Sequence, residues 1–151
     1  MQITPTFIAI FSLAAANLTS GAAIFARDWK EKAITTHGHP LCRTQTNANI
    51  GDISASVDKI IQDDPNRTYG QDVQITGKRN VGGSDPGIML KIEGSSEKIG
   101  IQKIKYLIGQ MATEGGIGRC GAISLAWPSK DPMRSHGWLK IDYTGKVTVE
   151  Y

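Results

Sequence analysis

The first 23 residues contain no Asp, Glu, Lys or Arg. From Phe7 to Leu18 the run is nearly all apolar, and small residues follow, with Gly21 and Ala23 at a peptidase spacing. This make-up reads as a secretory signal peptide over residues 1–23, its only positive charge being the free amino terminus. A spanning helix needs about 20 apolar residues. Here Asn17, Thr19 and Ser20 interrupt the run too early. The mature chain is therefore expected to start near Ile24 and to be secreted.

Other scarcities narrow the function. Cys42 and Cys120 are the only cysteines, and no Cys-x-x-Cys occurs. In an oxidising compartment, two distant cysteines suggest one disulfide, with a reactive thiol as the alternative. Closing so long a loop stabilises by roughly 4–5 kcal/mol in the chain-entropy model. Aromatics make up only 7% of residues and do not interleave with bases. The net charge of +3 permits attraction to anionic surfaces or acidic partners but falls short of a nucleic-acid signature. No internal repeat or low-complexity tract is present, and the length after the leader suits one domain.

Residues 24–40 mix charge, Thr, Gly and His without a period and read as an N-terminal arm or propeptide. Ile53, Val57, Ile60 and Ile61 form one apolar stripe, predicting a helix over 53–62 with Asp52 as N-cap and Pro65 as the stop. Val73–Thr76 is a short strand, and 77–87 a loop by composition. Ile88–Glu93 is the next strand. A second helix is expected from a Ser95 or Ser96 cap to about Thr113. Ile101, Ile104, Leu107, Ile108 and Met111 line its buried face, Lys98, Lys103, Lys105 and Gln110 face water, and Gly115-Gly116 ends it. Ala122–Trp127, Trp138–Tyr143 and Lys146–Tyr151 are expected strands, the last two joined by a Thr144-Gly145 turn. The order predicts an α+β sandwich, a mostly antiparallel sheet with two helices on one face.

Several motifs fail on context. Gly116 to Gly121 spells G-x-G-x-x-G but follows a helix and opens a strand, the reverse of a dinucleotide site. His37 and His39 near Cys42 offer too few ligands for a zinc site. His136 is in no catalytic context. Glu93, Glu97, Glu114 and Asp142 could form a carboxylate pair, but solvated surface charge is the simpler reading. Neither metal nor cofactor is expected, and no enzyme activity. Asn66-Arg67-Thr68 is a glycan acceptor in an exposed turn. Lys78, Arg79, Arg119, Lys130 and Arg134 make a cationic patch if they converge, and scattered solubilising charge if they do not.

Read in order, several segments resemble the killer protein four family of smut-fungus toxins. They are Leu41-Cys42-Arg43, the Asp64–Gln71 connection, Val73–Gly77, Gly94-Ser95-Ser96 before Ile104–Leu107, and Cys120-Gly-Ala. Both Gly137–Tyr143 and Gly145–Tyr151 look like the family's closing strand. The resemblance covers residues 41–151. It implies a killer-toxin-like α/β sandwich and structural cysteines at Cys42 and Cys120. It also implies a secreted binding protein aimed at a protein on a target cell such as a calcium channel. By this resemblance Gln74 occupies the place of the family's functional base, with Lys78 and Arg79 close behind. The chain departs from this cysteine-rich family in keeping only two cysteines. A virulence effector that inhibits a host protein, and a small secreted hydrolase, are the alternatives. The protein is expected to be a monomer that binds no nucleic acid.

Overall fold

The structure, a computed structural model, describes residues 33–36, 38–83, 85–129 and 136–151. The expected leader, residues 24–32 of the arm, His37, Lys130 and Arg134 lie outside the described residues.

The first long helix, α2 (Ile50–Asp63), follows a single short turn, α1 (Leu41–Thr44). Asn49, not Asp52, is its N-cap. The Asn49 side chain accepts from the Gly51 and Asp52 amides at 2.8 and 3.2 Å, and the Asp52 carboxylate accepts from the Asn49 amide at 2.8 Å. This is a capping box, and it starts the helix three residues earlier than expected. Ile53, Val57 and Ile60 are fully buried, as their spacing requires.

The second long helix, α3 (Ile101–Thr113), begins later than the serines suggest. Residues Ile99–Gly100 are spent in a short strand, β5, paired with β2 (Thr68–Tyr69). Ile101 then donates its amide to the Arg67 carbonyl at 2.8 Å. Ser95 instead closes a local turn with Glu97. All five expected core residues of α3 are buried.

The main sheet has strand order β1-β6-β7-β4-β3 and is antiparallel throughout. Its strands are β1 (Ile34–Thr35), β3 (Gln74–Arg79), β4 (Gly87–Glu93), β6 (Gly121–Ser124) and β7 (Trp138–Thr144). Ile88, Leu90, Ile92, Ile123, Leu139 and Ile141 point into the core beneath the two helices. Each such burial contributes about 1.5–3 kcal/mol before entropy is counted. Lys91, Glu93, Lys140 and Asp142 lie half-buried on the opposite face. The α+β sandwich is thus the observed fold.

Three strand expectations need correction. β3 continues through Gly77, Lys78 and Arg79, which pair with Met89, Ile88 and Gly87, so ladder pairing overrides a loop-like composition. β6 stops at Ser124 because Leu125–Pro128 form a turn. Residues 146–151 form no strand. β7 already has β4 on one side and β6 on the other, so a strand turned back from it has no free edge to pair with. The tail crosses instead to β3, with Val147 over Gly77.

Candidate functional site

Lys78 and Arg79 are adjacent on β3, the last strand of the sheet. A shift of register between Gln74 and Thr76 sets Lys78 opposite Ile88. Each base is 43% exposed along its side chain. Glu150 in the tail reaches both, with its carboxylate 3.0 Å from Lys78 Nζ and 3.8 Å from Arg79 Nε. The Lys78 hydrogen bond, assisted by the charges of both bases, holds the Glu150 carboxyl below the usual carboxylate range.

Gln74 braces the same tail. Its Oε1 accepts from the Thr148 hydroxyl at 2.6 Å and the Thr148 amide at 3.3 Å, while its Nε2 donates to the Val149 carbonyl at 3.1 Å. Arg79 donates to the Val147 carbonyl at 3.3 Å. Val147 is buried against Gly77, where a Cβ would meet the Val147 side chain at 2.8 Å, so only glycine fits. The tail ends at Tyr151, whose hydroxyl accepts from Arg67 at 2.9 Å. The Arg67 guanidinium lies over the Tyr69 and Tyr151 rings, 5.6 and 5.8 Å from their centres. Burial pushes the Tyr69 phenol up, opposed by the Arg67 charge.

Arg119 does not join Lys78 and Arg79. It precedes β6, three strand spacings from β3, or about 14 Å. Its Nη1 donates to the Arg43 and Thr46 carbonyls at 3.2 and 3.0 Å, which pins the segment after α1. Asn80 holds the other side of that segment through the Gln45 carbonyl at 2.6 Å. The described bases of the expected patch, Lys78, Arg79 and Arg119, therefore form two groups.

Cys42 and Cys120 are joined by a disulfide, their Cα atoms 6.2 Å apart. Both line a cleft of about 660 Å³ with His39, Arg43 and Arg119. Asp142 lies close to the two sulfurs, but sulfurs bonded to each other offer no thiolate to a metal. The His39 amide donates to Asp142 at 2.8 Å, its Nδ1 accepts from the Leu41 amide at 3.2 Å, and its ring stacks on Tyr143.

The other sequence candidates stay apart. Glu93 is ion-paired with Lys91 and Lys140. Asp142 stands four residues along the β4–β7 ladder from it, roughly 13 Å away. Glu97 and His136 line a separate hollow of about 250 Å³, and Glu114 follows the end of α3. Gly116–Gly121 connects α3 to β6 and opens no helix. Asn66 is exposed in a turn, its amide bonded to Asp64 at 3.1 Å. Sequence reasoning missed Glu150 as the partner of Lys78 and Arg79, and Gln74 and Arg67 as partners of the tail, since each contact joins distant parts of the chain.

These features define a small disulfide-linked α+β sandwich with two adjacent bases on its edge strand. The Kp4 (killer protein 4) family model matches residues 20–145, and the chain belongs to this family of killer toxins. No curated protein matches the chain.

Proposed function

We propose that this killer-toxin-like protein is secreted and acts by binding a protein on a target cell, not by catalysis. Lys78 and Arg79 make the contact. The supporting observation is their geometry: two half-exposed cations side by side on a strand, faced by one carboxylate. A rigid strand presents charge at lower entropic cost than a loop. Family membership favours a membrane protein such as a calcium channel as the target. The protein acts as a monomer and needs no cofactor.

The test is the double variant Lys78→Ala, Arg79→Ala in a growth-inhibition assay on fungal cells, with and without added calcium. Inhibition should fall about tenfold or more, as it does when a charged contact at an interface is removed. Wild-type inhibition should weaken as salt rises, because exposed charges are screened over about 8–10 Å near physiological ionic strength. Melting should change by less than about 1 kcal/mol equivalent, since the ion pairs are exposed. Undiminished, salt-insensitive inhibition by the variant would move the contact elsewhere. Inhibition that calcium does not relieve would point to another target, such as a host protein bound by an effector.

A further inference from the structure

The tail crosses β3, the last strand of the sheet, and is held to it by side chains. Among the described residues, no backbone hydrogen bond joins residues 146–151 to β3. Gln74 holds Thr148 and Val149, Arg79 holds the Val147 carbonyl, and Lys78 and Arg79 hold Glu150. The outer backbone groups of an edge strand are a template for another extended chain. Proteins use such edges to capture peptide segments by strand addition. β3 has six residues, enough for this mode.

The charges say what kind of segment fits. Glu150 shows that the two bases accept one carboxylate between them. Its side chain is 29% exposed and theirs 43%, so the pairs are wet and exchangeable. The tail also lies beyond residues 20–145, the part matched by the family model.

We infer that the tail is an internal stand-in for the target. An extended, carboxylate-bearing segment of the partner protein displaces residues 148–151, pairs along β3, and sets its own carboxylate between Lys78 and Arg79. Val147, buried on Gly77, stays as the pivot. This rests on the reading of Lys78 and Arg79 as the contact residues.

The experiment uses the full chain, isotope-labelled for NMR, wild type and Glu150→Gln. The probes are a capped peptide of sequence Val-Thr-Val-Glu-Tyr and the same peptide with Gln in place of Glu. The Glu peptide should shift the amide signals of residues 74–79. It should bind the Glu150→Gln chain about threefold more tightly than wild type, the size expected from one exposed ion pair. The Gln peptide should bind more weakly than the Glu peptide. Equal binding by both chains, equal binding of both peptides, or shifts away from β3 would overturn the inference. So would an unfolded Glu150→Gln chain, because a tail that the fold requires cannot be displaced. The growth-inhibition assay keeps the two readings separate. If Lys78→Ala, Arg79→Ala retains inhibition, the contact reading fails. If that variant loses inhibition while the peptides ignore β3, only the stand-in fails.

Discussion

The Thr76 hydroxyl is fully buried in β3 and has no hydrogen-bond partner among the described residues. Leaving such a group unpaired costs about 1–3 kcal/mol. Valine has the same branched shape and no hydroxyl. Thr76→Val should therefore raise stability by about 1 kcal/mol, read from the midpoint of a urea titration. A loss of stability would mean that the hydroxyl has a partner. Neighbouring residues of the same strand behave differently because their polar atoms are used. Gln74 spends its amide on the tail, so it braces that segment. Arg119 likewise spends a guanidinium nitrogen on two carbonyls, which makes it a clamp more than a contact residue.

Helix α3 carries much of the core on one stripe. Leu107 is fully buried there, so Leu107→Asp would bury an unpaired charge costing several kcal/mol, of the order of a small domain's whole stability. That variant should show no cooperative melt. Asn49→Ala removes the α2 cap and should lower stability by only about 1 kcal/mol. A wild-type melt for Leu107→Asp would show that the stripe is not buried. The stripe was legible because helical periodicity records burial directly. Strands β4 and β7 were legible for the same reason at period two. The start of α3 was not, because it depends on Ile99–Gly100 pairing with a strand some thirty residues earlier. Nor was the extension of β3, whose Gly77-Lys78-Arg79 has no strand-like composition. The missing last strand follows from β7 being flanked on both sides, a property of the sheet order that no local pattern contains. The site was half legible on the same grounds. Lys78 and Arg79 stand out as bases, while their partner Glu150 is some seventy residues away.

Across the whole molecule, one covalent tie links the two ends of the fold. Cys42 in α1 and Cys120 before β6 are separated by 78 residues, and the loop between them holds both long helices and strands β2–β5. In the chain-entropy model a loop of this size stabilises by roughly 4–5 kcal/mol. Small domains have total stabilities of about 5–15 kcal/mol, so losing the bond would leave little margin. Reduction should therefore lower the urea midpoint sharply, and Cys42→Ser with Cys120→Ser should do so without reductant. The material to use is protein recovered from the culture medium. Its non-reduced mass should show the oxidised pair, a start near residue 24 and, where glycan is attached, an increment on the peptide holding Asn66. The exposed turn at Asn66 leaves that side chain accessible to the glycosylation machinery. Two free thiols in secreted protein, or identical midpoints with and without reductant, would remove the disulfide from the account of stability. In that case the packing of α2 and α3 on the sheet would hold the bases of β3 in place by itself.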